Sequence, residues 1–151
     1  MISIDASIAA KWFLPEGDRE AAKDVLRQGH VFIAPPLIRV EVAAAITKAS
    51  RLGYLKSETS RFLCEKWFGW LSQGIIKLEE NHEDYFLASK LASDVRHPYQ
   101  DCLYIAMAKR CKIPLLSADE KQSRTAERAG IEALGLRGDL SDRLLTARNI
   151  Q

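Results

Sequence analysis

The segment His97-Pro98-Tyr99-Gln100-Asp101-Cys102-Leu103-Tyr104-Ile105-Ala106-Met107-Ala108-Lys109 constrains the fold more than any other. It reads as a helix with Pro98 in its first turn, where a missing N–H is harmless. Leu103 through Ala108 is too apolar for a surface helix, so this helix has to lie inside packed layers. Asp101 sits at its mouth. A carboxylate entering a buried helix is unfavourable unless something positive meets it. The expected partner is a divalent metal, shared with acids from elsewhere in the chain.

The surrounding pattern alternates short apolar runs with amphipathic ones. Ile2 to Ile4 reads as a strand ending at Asp5, followed by a short helix over Ala6–Phe13 that Pro15 stops. Asp18 is expected to cap a helix running to Gln28 and closing at Gly29. Val31–Ala34 is a second strand. A long helix from Leu37 carries Val40, Ala44 and Ala45 inward and stops at Gly53. Ser57 is expected to cap a helix ending at Gly74, and Ile75–Leu78 is a third strand. Asn81 caps a helix with Phe86, Leu87 and Leu91 on one side, and the Asp101 helix follows, with Tyr104, Ile105 and Ala108 anchoring it to the sheet. Pro114–Leu116 is a fourth strand, Lys121–Ala129 a helix, Ile131–Leu136 a last strand, and Leu140–Arg148 a terminal helix. Such alternation predicts an α/β fold with a parallel sheet covered on both faces. Without a repeat or linker, 1–151 reads as one domain.

The chain has 151 residues, 47% of them hydrophobic and 28% charged, with a net charge of +2, so any nucleic-acid surface must come from local clustering of cations. No apolar run approaches the roughly 20 residues of a membrane span, and no signal-peptide pattern opens the chain. Cys64, Cys102 and Cys111 have no metal-type or disulfide spacing and read as buried thiols in a reducing compartment. A cytoplasmic protein is expected.

Ligands of open parallel sheets bind outside the carboxyl ends of the strands. Asp5 ends the first strand, and Asp119 follows the fourth by three residues. Glu41 lies in the first turns of the helix after the second strand, and Asp101 in the first turn of its own. Four carboxylates can therefore meet at one edge. Each has an ordinary alternative: Asp5 and Asp119 as helix caps, Glu41 as a solvated acid, Asp101 as a favourable charge near a helix N-terminus. Meeting together, they would repel unless a hard cation neutralised them. All-oxygen ligands suit Mg²⁺ or Mn²⁺. His30, His82 and His97 have no metal-type spacing and are left out of the set.

On these residues the chain resembles the PIN domains, and specifically the VapC-type toxins of bacterial toxin–antitoxin pairs. Ile4-Asp5-Ala6-Ser7 with Lys11-Trp12-Phe13-Leu14-Pro15-Glu16 resembles the family's opening. Val40-Glu41-Val42 with Ala44 and Ala45 resembles its second motif, and His97 to Tyr104 its third. Leu115-Leu116-Ser117-Ala118-Asp119 resembles the fourth, where the family often has Thr in place of Ser117. The resemblance implies a three-layer α/β/α sandwich with a five-stranded parallel sheet. It implies metal-dependent hydrolysis of RNA, a homodimer and a cognate antitoxin partner. It assigns catalysis and metal binding to Asp5, Glu41, Asp101 and Asp119, with Ser7 and Ser117 as accessory hydroxyls.

Cations must frame such a cleft if RNA is to enter. Lys11, Arg39, Arg96 and Lys121 lie near the motif acids in sequence and are candidates for contact with the RNA backbone; each can equally be solvated surface. Lys109, Arg110 and Lys112 are explained by the dipole at the end of their helix. Trp67, Trp70 and their aromatic neighbours read as core, or as a face covered by a second copy or an antitoxin. Two other functions fit the same residues: a catalytically silent nucleic-acid or partner-binding module, and a phosphotransfer domain with Asp5 as nucleophile. The second lacks the further acid two residues on that such phosphatases usually show.

Overall fold

In a computed structural model, residues 1–136 are described; the helix expected over Leu140–Arg148 lies outside them. Five short strands form one all-parallel sheet: β1 (Ile2–Ile4), β2 (Phe32–Ala34), β3 (Ile76–Leu78), β4 (Leu115–Leu116) and β5 (Ala133–Leu134), in the order β3-β2-β1-β4-β5. β1, β2, β4 and β5 are buried along their whole length, as parallel strands covered on both faces must be. Seven helices surround them among the described residues: α1 (Ala6–Lys11), α2 (Arg19–Arg27), α3 (Ile38–Arg51), α4 (Ser57–Ser72), α5 (His82–Val95), α6 (Tyr99–Cys111) and α7 (Glu120–Arg128). The expected α/β/α sandwich is the fold found. The chain moves outward from β1 to β2 and β3, then returns to the other side of β1 for β4 and β5. That reversal is a topological switch point, where ligands of open α/β sheets bind.

The α6 run is buried on every side, from Cys102 to Ala108. Its residues divide between two partners. Tyr104, Ile105, Met107 and Ala108 join the sheet core, while Cys102, Leu103 and Ala106 pack against Ala88 and Leu91 of α5. Tyr104, Ile105 and Ala108 therefore anchor α6 to the sheet as expected. Its orientation is not set by a preceding strand, because α6 follows another helix. It feeds β4 through residues 112–114, so it runs antiparallel to β4 and begins at the carboxyl edge.

Several local expectations are corrected. The buried stripe of α3 is Ile38, Val42 and Ile46, at four-residue spacing; Val40 is 66% exposed and Ala44 is exposed too. Phe86 is 68% exposed, and α5 instead buries Asp84 and Ala88. Asp84 is affordable there because Arg110 grips both its oxygens, at 2.7 and 2.9 Å, and Glu79 at 3.2 Å. Arg110 thus ties α6 to α5 rather than answering its own helix dipole, and Lys109 reaches across to the Ala129 carbonyl at the end of α7 (2.8 Å). Asp18 holds the N-cap position of α2 in a left-handed conformation without a side-chain cap bond. Lys56, not Ser57, is the N-cap of α4, and it too makes no side-chain cap bond. Asn81 caps α5 through Glu83 N–H as expected. Of the cysteines only Cys102 is fully buried. Trp67 is completely buried, packs edge-on against Phe13, and donates its indole N–H to the Arg39 carbonyl. It is a core residue. No helix of the described residues is long and apolar enough to cross a membrane.

Candidate active site at the carboxyl edge of the sheet

Strand register builds the centre of the site. Ile4 pairs with Leu116, so the next residues, Asp5 and Ser117, emerge side by side. Ser117 Oγ donates to Asp5 Oδ2 at 2.5 Å; Ser7 Oγ (2.5 Å) and Ile8 N–H (3.1 Å) donate to Oδ1. Asp5 therefore does cap α1, and that role coexists with its place in the site. Ser7 also accepts from Ala118 N–H (3.0 Å), which ties α1 to the loop after β4. Asp5 is 3% exposed. Burial pushes its pKa up to about 6, against the lowering effect of the three donors; the charge of Asp101 adds to the rise.

The other acids are each pinned at one oxygen. Glu41 Oε2 accepts from the buried Tyr104 hydroxyl (2.5 Å). Its pKa is raised by burial, then lowered by that bond and raised by Asp101. Asp101 Oδ2 lies 3.0 Å from His97 Nε2, although the ring N–H is out of line for a good hydrogen bond. Burial raises the Asp101 pKa, His97 opposes the rise and Asp119 adds to it. Asp119 is exposed and caps α7 through Lys121 N–H (2.7 Å) and Gln122 N–H (3.3 Å). Glu41 Oε1, Asp101 Oδ1 and Asp119 Oδ2 carry no hydrogen bond among the described residues. Asp101 is the hub, since its field is linked to that of each of the other three acids.

Ser7, Lys11, Glu41 and Asp119 line one open groove of about 570 Å³. Lys11 stands in its wall, held by Glu16 (3.4 Å) and the Gly17 carbonyl (3.1 Å). Arg39, Arg96 and Lys121 are exposed. Arg39 lies two residues before Glu41 on α3, a spacing that turns it off the face of Glu41. Among the described residues no Lys or Arg pairs with any of the four acids.

Whether a cation fits can be judged from the donors. No three His, Cys, Asp or Glu side chains among the described residues stand close enough to form a closed metal cage. Mg²⁺ does not need one: it keeps several waters and takes one or two carboxylates directly. Desolvated acids that raise one another's pKa, offer oxygen donors and have no Lys or Arg partner, with His97 alone beside Asp101, are a fitting set for such an ion.

Three contributors went unread in the sequence. His97 has no metal-type spacing, yet it sits four residues before Asp101 and meets it. Tyr104, read only as packing, lies three residues after Asp101 and presents its hydroxyl to Glu41. Gln122 Oε1 is 3.2 Å from Ser117 Oγ, and its Nε2 reaches the Asp101 carbonyl (3.4 Å), linking α6 to β4. The helical spacing of His97 and Tyr104 from Asp101 was the available signal. Nothing in the sequence marks Gln122.

A sheet of this order, with acids at its switch point, defines a class of α/β domain that gathers carboxylates where a nucleotide-binding fold would place phosphate-binding loops. The chain belongs to the PIN domain family, whose profile matches residues 2–128. Solved structures share the fold. A chain of the FitAB complex bound to an IR36 DNA fragment aligns with a TM-score of 0.68 at 14% identity, covering 90% of this chain and 95% of that one. FitAcB from Neisseria gonorrhoeae gives 0.63 at 15% identity, covering 90% and 98%. Mycobacterium tuberculosis VapC20, described as a sarcin–ricin loop cleaving toxin, gives 0.60 at 15% identity, covering 82% and 94%. No curated protein matches the chain by sequence.

Proposed function

We propose that this chain is a metal-dependent endoribonuclease and the toxin of a toxin–antitoxin pair, acting as a single PIN-like domain. One observation carries the reading: Asp5, Glu41 and Asp101 are desolvated together and paired with no Lys or Arg, with only His97 standing beside Asp101 among the described residues. A cluster of this kind lowers stability unless it serves a cation. Asp5 and Asp101 would be the principal holders of Mg²⁺ or Mn²⁺, with Glu41 and Asp119 acting directly or through water. When bound, the ion would polarise a phosphate and favour ionisation of water. Tyr104 fixes Glu41 so that its free oxygen can orient that water or take a proton from it. Ser7 and Ser117 keep Asp5 from rotating. Lys11, in the groove wall, would meet a phosphate, and Arg39, Arg96 and Lys121 are further candidates.

The likeness to VapC20, described as a toxin, supports the biological role. By that analogy we also propose a cognate antitoxin, a homodimer and a cytoplasmic setting. The test is incubation of purified protein with single-stranded and structured RNA, with Mg²⁺, with Mn²⁺ and with chelator. Metal-dependent cleavage that disappears in Asp101→Asn is expected. Cleavage that survives chelator would sink the proposal. Metal binding without turnover of any RNA would favour the silent binding module instead.

A further inference from the structure

Just past the C-terminal end of α1 lies a second, smaller pocket of about 270 Å³ that shares no lining residue with the acid groove. Lys11 faces the groove; the next residue, Trp12, faces this pocket. Around Trp12 and Trp70 stand Arg19, Lys23 and Arg27 from α2 and Lys66 from α4, and no acid lines the pocket.

Three features set this pocket apart from ordinary solvated surface. Arg19, Lys23 and Arg27 are spaced at four residues, so they form one stripe on α2. Like charges at that spacing oppose the helix that carries them. Glu20 and Asp24 relieve Lys23 and Arg27 from outside the pocket (3.3 and 2.6 Å) and are themselves largely exposed. Arg19 and Lys66 have no ion-pair partner among the described residues. Arg19 Nε is shielded from solvent with no hydrogen-bond partner, a buried donor lacking an acceptor. Lys66 lies over the Trp70 ring, 5.5 Å from its centroid, so cation and indole already share a face.

We propose that this pocket binds the sugar–phosphate backbone of single-stranded RNA beyond the acid groove, with Trp70 as a surface for a base. The stripe from Arg19 to Arg27 spans about 12 Å along the helix. Its three cations are about 6 Å apart, the order of the separation between neighbouring phosphates along a single strand. Regular charge of this pitch beside an indole suits a nucleic acid better than an acidic peptide, which has no base to stack. Lys11 and Trp12, adjacent in the chain, would let one strand pass from groove to pocket around the end of α1. The pocket would anchor the strand, and the acids would act on it. The proposal rests on the ribonuclease reading.

The test measures binding of labelled single-stranded RNAs of four and sixteen nucleotides by fluorescence anisotropy, in chelator so that nothing is cut, across a salt series. Wild type is compared with Lys23→Glu/Lys66→Glu and with Lys23→Arg/Lys66→Arg, all confirmed folded by circular dichroism and melting. The charge-reversed protein is expected to lose about tenfold in affinity for the sixteen-mer. Its salt slope should fall by about 1.4, two single-strand contacts at about 0.7 each. The four-mer should change little, and the Arg pair should bind like wild type. An unchanged sixteen-mer affinity and slope would overturn the proposal. So would an equal loss on both lengths, which would mean general attraction rather than a site. Tighter binding of polyglutamate than RNA, lost in the same variant, would assign the pocket to an acidic protein segment and overturn it too. Wild-type cleavage of RNA with metal keeps the two ideas separable: intact cleavage with unaffected binding sinks only the pocket, whereas absent cleavage and absent binding sink the nuclease reading.

Discussion

Asp5→Asn should make the metal-free protein more stable at neutral pH while abolishing its response to metal. The pKa of Asp5 rises from 3.8 to about 6 on folding, chiefly through burial. The folded state thus binds the proton more tightly than the unfolded chain does. The stability linked to this group is fully present below about pH 4, falls as pH rises, and levels off above about pH 6. A rise of about two units corresponds to roughly 3 kcal/mol lost at pH 7. Asparagine does not ionise, so it escapes that loss. It gives up about 1 kcal/mol at every pH, because its amide cannot accept from all three of Ser7, Ser117 and Ile8. The stability of Asp5→Asn relative to wild type should therefore climb by about 3 kcal/mol between pH 4 and pH 7. At roughly 2–4 °C per kcal/mol, this is a relative shift of about 6–12 °C in melting temperature. Urea or thermal melts of both proteins in chelator, from pH 4 to 8, measure it. Metal at a hundred times its Kd should then restore about 2.7 kcal/mol to wild type and nothing to the variant. A stability difference that stays flat across pH, or that runs the other way, would refute the account of Asp5 as a desolvated acid waiting for a cation.

Tyr104→Phe removes the donor that fixes Glu41. Since Glu41 is half-exposed and water can replace the bond, stability should fall by only about 1 kcal/mol, while metal-dependent cleavage falls about tenfold; melts and turnover rates compare the two. Arg110→Ala strands the buried Asp84 carboxylate and should cost about 3–5 kcal/mol, much of it recovered in Arg110→Ala/Asp84→Asn, as chemical denaturation would show. Lys112 closes α6 in a left-handed conformation (φ 54°) that favours glycine, so Lys112→Gly should raise the melting temperature by a few degrees without changing activity.

The local pattern of the sequence was enough for the order of strands and helices and for the parallel sheet. Wholly apolar short runs and polar helix starts mark both fold class and the carboxyl edge. It failed on helix faces where apolar residues are abundant: Val40 and Phe86 point outward because Ile38, Val42 and Ile46, or Asp84 and Ala88, lie on the stripe facing the core. It also failed for Asp84, whose burial depends on an arginine 26 residues away.

The same division runs through the site. The sequence by itself determined that Asp5, Glu41, Asp101 and Asp119 each stand beside a helix start, because strand ends and helix starts are short-range features. Only the tertiary structure decided what each acid touches. Pairing of Ile4 with Leu116 puts Ser117 against Asp5 across 112 residues of chain. Packing of α6 on the sheet brings Tyr104 to Glu41 across 63. Those partners and the shared desolvation come from long-range register and packing, which no local pattern encodes. They bring acids that could each have been a simple cap or a surface charge to one edge of the sheet, and leave Asp5, Glu41 and Asp101 desolvated there.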